Sequence, residues 1–287
     1  MKERREVARE KEEKEAEGKG AGVAAFFDLD GTLVALPSLE RRFFRMLRYR
    51  RAIAAKNYLL WIAEAIRLAR RGVSAIFEGN KMYLQGVAVD RLGKGGLKPA
   101  PTFFEAGLER VAWHARQGHT IVTVSGTLEP LAQETARAIE AELATRGMAV
   151  AVHVQATRLE EKEGRWTGRI VGEAMFGHEK ARTAKRMAAE MQLDLRNCYA
   201  YGDSINDRWL LETVGRPVAV NPSKGLERIA REHVWPVLRW KERENVTQRR
   251  QSSPRTGKGT ANTQAWAWRR GKRIEVAIRE TSTRSLG

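Results

Sequence analysis

The chain has 287 residues, 42% of them hydrophobic, and a formal net charge of +17. That is enough for one full domain with a smaller companion and ample for a packed core. No run reaches the ~18 consecutive apolar residues of a spanning helix, since the longest candidate, 58–68, is broken by Glu64 and Arg67.

The first 20 residues alternate Lys and Arg with Glu and read as a charged, disordered leader without the apolar centre of a secretory signal. Val23-Ala24-Ala25-Phe26-Phe27 then reads as a strand running into Asp28-Leu29-Asp30-Gly31-Thr32. From 39 to about 87 the apolar residues recur at helical spacing, and 94–99 reads as a linker. A helix is expected over 102–117, a buried strand over 121–124 ending at Ser125-Gly126, and a helix over 130–146. A third strand over 149–154 precedes a hairpin over 158–171 that turns at Lys162-Glu163-Gly164. Helix 180–191, strand 197–201, helix 208–214 and strand 217–220 complete the alternation. Beyond Trp240, and above all over 249–263, the chain is polar and aperiodic, which predicts disorder; the segments 266–270 and 273–278 can dock locally.

Strands that alternate with helices and are themselves short apolar runs imply a parallel sheet covered on both faces. Ligands of such sheets bind beyond the carboxyl ends of the strands. Asp28, Ser125 and Asp203 all fall at that end, from positions far apart in the chain.

Two carboxylates one residue apart at a strand end repel each other unless a cation or a chemical task compensates. Phosphoryl transfer through a carboxylate needs a nucleophile, a proton donor for the leaving oxygen, a metal site, and a clamp for the transferred oxygens. Asp28 is the candidate nucleophile and Asp30 the candidate acid, then base. Asp28 with Asp203 offers hard oxygen ligands suited to Mg²⁺, and Ser125 and Lys180 supply a hydroxyl and a cation.

These residues resemble the haloacid dehalogenase superfamily of aspartate-nucleophile phosphatases. The resemblance rests on Asp28-Leu29-Asp30-Gly31-Thr32, Val124-Ser125-Gly126-Thr127, Gly177-His178-Glu179-Lys180 and Gly202-Asp203-Ser204-Ile205-Asn206-Asp207, in family order over about 24–220. It implies a Rossmann-like doubly wound α/β core with a helical cap inserted after the first strand. It also implies an aspartyl-phosphate on Asp28, and Mg²⁺ held by Asp28, the Asp30 backbone carbonyl and Asp203. Asp207 would support the metal or Lys180, and Ser125 and Lys180 would bind the phosphoryl oxygens. Thr32, Gly126 and Asn206 are the further substrate-site candidates, with Thr32 also implied to steady the first loop and Asn206 able either to touch phosphate or to hold its turn. The helical insert and the hairpin resemble the phosphoserine-phosphatase-like branch. That branch carries a glutamate nine residues after the nucleophile to read the substrate amine, whereas this chain has Pro37 there and Glu40 out of register. Phosphoserine is therefore not the expected substrate.

The expected organisation is a leader (1–20), a core (21–35 and 100–240), a helical cap (36–99) and a basic tail (241–287). The expected activity is hydrolysis of a small phosphorylated metabolite. The charge is concentrated: residues 41–71 hold ten Lys and Arg against Glu64 alone, and 241–287 hold twelve against four acids. The alternative function is therefore binding of an anionic partner, nucleic acid or a membrane surface, through cap and tail. Cys198 is the only cysteine, so no internal disulfide forms and a cytoplasmic setting is expected, peripheral to an anionic surface under that alternative. The five scattered histidines lack metal-ligand spacing, and Phe43, Phe44, Tyr58 and Trp61 read as cap core.

Overall fold

The computed structural model describes residues 22–70, 72–89, 101–241, 264–269 and 272–275. The expected leader, the 94–99 linker and the polar stretch 249–263 lie outside them. In chain order the strands are β1 (Ala24–Phe27), β2 (Thr120–Leu128), β3 (Val152–Thr157), β4 (Leu159–Lys162), β5 (Arg165–Ile170), β6 (Tyr199–Gly202), β7 (Arg216–Val220), β8 (Val237–Arg239), β9 (Gln264–Arg269) and β10 (Lys272–Glu275). The helices are α1 (Leu39–Tyr49), α2 (Ala55–Ala69), α3 (Val73–Gly79), α4 (Glu105–Arg116), α5 (Glu129–Ala144), α6 (His178–Glu190), α7 (Arg208–Leu211) and α8 (Lys224–Glu232).

Six strands form a parallel sheet in the order β8-β7-β6-β1-β2-β3, the arrangement expected of a doubly wound α/β fold. The central strand alternates between two cores. Ala25 and Phe27 pack on one face with Leu108 and Val111 of α4 and Leu131 and Ile139 of α5. Ala24 and Phe26 pack on the other with Met187 of α6, Leu210 of α7 and Leu226 of α8. Burial on both faces explains why β1 is an unbroken apolar run rather than an alternating one.

Three elements depart from expectation. β2 does not end at Val124 but continues through Ser125 and Gly126 to Leu128, with a register shift against β3 between Ser125 and Leu128. A bulge of this kind re-aims side chains without ending the pairing. The three-residue strand β8 carries too short a pattern to be read from sequence. Finally, β9 and β10 form an antiparallel hairpin that continues the sheet from β8, within the tail expected to be disordered. By pairing with β8 the hairpin covers a sheet edge that would otherwise be a template for added strands.

Between β1 and β2 lies the helical insert. Ser38 caps α1, its Oγ accepting from Arg41 N at 3.3 Å, and α1 buries Leu39, Phe43 and Leu47 along one stripe. Each such side chain contributes about 1.5–3 kcal/mol on leaving water. α2 is anchored by the buried Asn57, whose Nδ2 donates to the carbonyls of Tyr83 (3.2 Å) and Gln85 (2.7 Å).

The hairpin β4–β5 forms where the sequence predicts it. Glu163 and Gly164 make the two-residue turn with φ of 52° and 71°, as the hairpin twist requires. β5 then pairs with the end of the insert: Gly86 N donates to Trp166 O (2.7 Å), Trp166 N to Val87 O (3.0 Å) and Val89 N to Gly164 O (3.0 Å).

Candidate active site

The carboxyl ends of β1, β2 and β6 open into a cleft of about 590 Å³, with the helical insert on its far side. Asp28, Asp30, Ser125, Gly126, Lys180, Asp203 and Asn206 line it together, so most of the residues singled out from the sequence converge. Asp28 follows the last residue of β1 and is fixed by its N–H, which donates to Tyr201 O at 2.9 Å.

Lys180, in the first turn of α6, reaches the floor from below. Its Nζ donates to Asp28 Oδ1 and to Asp207 Oδ1, each at 2.6 Å. The other Asp207 oxygen accepts from Asp203 N (3.1 Å), Ser204 N (2.9 Å) and Ser204 Oγ (2.9 Å). Asp207 is thus fully engaged: it ties the β6 loop into shape and aims the lysine. Ser125 Oγ accepts from Thr127 N at 3.3 Å, which leaves its proton free to donate into the cleft.

Asp30 stands at the junction with the insert, its Oδ1 accepting from Leu39 N at 2.7 Å. The first peptide of α1 therefore holds one carboxyl oxygen and leaves the other facing the cleft. Gly31 between them has φ of 86°, and a β-carbon there would collide with the Asp203 carboxylate. Only glycine lets this loop close over Asp203. Gly126 is constrained in the same way by the ring of Phe176.

Thr32 is the exception among the sequence candidates. It is fully buried, does not line the cleft, and its Oγ1 has no partner among the described residues. Its placement is against direct substrate contact and in favour of a role inside the loop. The Asn206 amide reaches the cleft but donates to Glu78 Oε1 of α3 at 3.1 Å, bridging core and insert.

The electrostatics follow from burial. Asp28 is raised well above the usual carboxylate range because burial outweighs the stabilising Lys180, and Asp207 and Asp30 add repulsion. Asp203 is raised further, by burial first and then by Asp28 and Asp207. Asp30 is pushed up to about 6 by burial, against the opposing pull of the Leu39 N–H. Lys180 is buried, which disfavours its charge, yet Asp207 and Asp28 more than offset this and hold it protonated. The site therefore has more negative charge than one ammonium can neutralise.

That surplus fits a divalent cation. Asp28, Asp203 and Asp207 each offer a carboxylate oxygen, all within 4.8 Å of one another. Hard oxygens in this number suit Mg²⁺. Because both Asp207 oxygens are already occupied, Asp28 and Asp203 are the better direct ligands.

The opposite wall belongs to the insert, for which the sequence suggests a basic, aromatic-containing lining without singling out Lys81 or Tyr83. Glu40, one residue into α1, accepts from Lys81 Nζ through both oxygens (2.7 Å each) and from Tyr83 OH (2.7 Å). Phe44 and Trp61, expected to be cap core, line the cleft with Arg41 and Phe176. Thr127 also lines it, with a buried Oγ1 that has no partner among the described residues. Arg42, by contrast, is spent on the Pro37 and Ala35 carbonyls. Thr127 sits inside the recognised hydroxyl motif and was within reach of sequence reasoning. Lys81 and Phe176 carry no local signal. His114 forms a buried pair with Tyr201 (2.8 Å) away from the cleft, and Cys198 is a core residue.

Comparison with known proteins accords with this geometry. The haloacid dehalogenase-like hydrolase family matches residues 25–212. A protein of Mycobacterium tuberculosis (strain ATCC 25618 / H37Rv) described as a probable phosphatase is 30% identical over 230 residues, covering 76% of this chain and 75% of its own. A phosphoserine phosphatase of the same organism is 29% identical over 231 residues, covering 75% and 70%. A solved structure of a Bordetella pertussis Tohama I protein of unknown function aligns with a TM-score of 0.58 at 29% identity, covering 76% of this chain and 98% of that one. The chain belongs to the haloacid dehalogenase-like hydrolases and is an enzyme of their phosphatase branch.

Proposed function

We propose that the chain is a Mg²⁺-dependent phosphomonoesterase that works through an aspartyl-phosphate on Asp28. The observation that carries this is the buried Asp28–Lys180–Asp207 chain, with Asp30 poised two residues beyond the nucleophile. Lys180 holds Asp28 Oδ1, leaving Oδ2 to attack phosphorus while the bond to the leaving oxygen breaks. Asp30, protonated through its raised pKa, gives its proton to the departing alkoxide. The resulting Asp30 carboxylate then takes a proton from water, whose oxygen attacks the phosphorus and returns Asp28 as a carboxylate. The Ser125 hydroxyl and the remaining Lys180 N–H bind the transferred oxygens. Mg²⁺, held by Asp28 and Asp203, would supply the positive charge that lets an anionic nucleophile approach an anionic ester.

The insert over 36–99 is proposed as the cap that sets substrate choice. Its Glu40 carboxylate reaches the cleft but is already neutralised by Lys81, so it is not free to receive a substrate ammonium group. This supports a small phosphorylated substrate other than phosphoserine, with an apolar or aromatic portion against Phe44 and Trp61.

Asp28→Asn tests the mechanism: phosphate release from p-nitrophenyl phosphate should fall by at least ~10⁴-fold. Retention of wild-type turnover would end the aspartyl-phosphate reading. A screen over amino-acid, sugar, nucleotide and lipid phosphates with the wild-type enzyme would identify the substrate class.

A further inference from the structure

α2 presents an apolar face that nothing in the described structure covers. Leu59 is 71% exposed, Ile62 53% and Ile66 69%. Their spacing of three and four places them on one side of the helix, together with the exposed Ala55, Ala63 and Ala69. The opposite side carries Asn57 and Leu68, both buried. A helix that is apolar on its buried and its outer side is not the pattern of a surface helix facing water.

The surroundings of this face are basic. Lys56 on α2 and Arg70 at its C-cap flank it, and Arg41, Arg45 and Arg48 form the exposed stripe of α1. The two helices meet through aromatic rings: the Arg48 guanidinium lies 6.0 Å from the Phe44 centroid, and Phe44 lies 6.5 Å from Trp61. Trp61 in turn is 38% exposed and lines the catalytic cleft. An apolar strip with a belt of Lys and Arg around it has the make-up of a helix that lies in the surface of a bilayer. At 15 residues α2 lies on such a surface rather than through it, and no helix among the described residues is long and apolar enough to cross a membrane.

We infer that α2 docks the protein on an anionic phospholipid bilayer, with Leu59, Ile62 and Ile66 entering the interface and the basic residues of α1 and α2 contacting headgroup phosphates. Charge selects this occupant. A second copy of the chain would set one belt of cations against another, which is repulsive. Nucleic acid would satisfy the cations but leave three aliphatic side chains facing polar backbone. The inference concerns binding alone and does not rest on the phosphatase reading.

The test uses the full chain and vesicles of phosphatidylcholine, alone or with about 30 mol% phosphatidylglycerol, in a flotation assay. Wild type should bind the anionic vesicles at least ~10-fold more tightly than the neutral ones. The variant Leu59→Gln/Ile62→Gln/Ile66→Gln, which keeps every charge, should lose at least ~10-fold of that affinity. Its melting temperature should stay within about 2 °C of wild type, since the replaced side chains are exposed. Because the basic tail could bind vesicles by charge alone, undiminished binding by this variant overturns the inference. So does failure of the wild type to bind anionic vesicles, whether or not it binds duplex DNA, and so does a lipid-free dimer that the triple variant dissociates. Should the triple variant misfold, Ile62→Cys carrying a polarity-sensitive fluorophore gives a second readout, because Cys198 is buried. A blue shift on anionic vesicles supports the inference, and an unchanged spectrum overturns it.

Discussion

The floor and the far wall of the cleft are built on opposite principles. The floor joins Asp28, Ser125, Lys180, Asp203 and Asp207 from three strand ends and a helix start, and nearly every polar atom is held by a partner. The wall, from α1, α2 and the stretch that follows α3, offers aromatic rings and one neutralised ion pair, Glu40–Lys81. The floor is thus specified for one group, a phosphoryl with its cation, while the wall is specified only in shape. Substitutions in the floor should act alike on every phosphomonoester, and substitutions in the wall should act unequally.

After Asp28→Asn, the largest effect is expected from Asp30→Asn. With an alkyl phosphate, turnover should fall by ~10²–10⁴-fold, and with p-nitrophenyl phosphate by far less, because that leaving group needs no proton. In wild type the alkyl-phosphate kcat should decline as pH rises through about 6, where Asp30 gives up its proton. An equal loss on both substrates would assign Asp30 to structure rather than proton transfer.

Lys180→Met should follow. It leaves Asp28 and Asp207 buried without their cation, which destabilises by about 3–5 kcal/mol and lowers turnover by ~10²–10³-fold. Urea unfolding and steady-state kinetics measure the two. A change in unfolding below about 1 kcal/mol would show that the floor is less tightly cross-linked than its distances imply.

Metal linkage has a defined sign. Asp28, Asp30 and Asp203 all have native pKa values raised above their unfolded value of 3.8. Between those limits the native state binds more protons than the unfolded one, so these groups lower stability as pH rises. Mg²⁺ should relieve that loss. Saturating Mg²⁺ is expected to raise the melting temperature by about 5 °C near pH 8 and by little near pH 5. His114, pushed down to about 2 by burial, loses stability below its unfolded value of 6.5 with or without metal, so the difference between the two melts isolates the floor. A Mg²⁺ increment that is equal at both pH values would locate the ion elsewhere.

The smallest effect belongs to the wall. Lys81→Met should change turnover of p-nitrophenyl phosphate by less than about 3-fold, yet shift relative kcat/KM across a substrate panel by ~10-fold. A uniform loss across the panel would make the wall part of the catalytic apparatus.

The same contrast decides what the sequence reveals. The floor is legible because carboxylates at strand ends are costly to bury and need their partners at set positions; Asp28, Asp203 and Lys180 announce themselves by residue type. The parallel core is legible because strands such as β1 are buried on both faces. Lys81 meets Glu40 across 41 residues through helix packing, which leaves no local pattern. Phe44 and Trp61 have the spacing of core residues whether they face a core or a substrate. The edge hairpin β9–β10 sits in a polar tail whose composition points to disorder, although the segments 266–270 and 273–278 read as able to dock locally. Thr32 carries two readings in the sequence, contact with substrate and steadying of the first loop, and its burial favours the second.

The hairpin β4–β5 has a mechanical consequence. It leaves the sheet after β3 and is bonded through Gly164 and Trp166 to residues 86–89, where the insert ends. The insert is consequently riveted to the hairpin as well as held at its entry, where Phe43 of α1 packs edge-on against Trp166 with ring centroids 6.0 Å apart, and this opposes an outward swing on the entry alone. Ligand exchange must pass through its open side by small relative slides, unless the rivet is undone. Amide exchange at Gly86, Trp166 and Val89 would report that rupture directly, as a clock for how often the chamber fully opens.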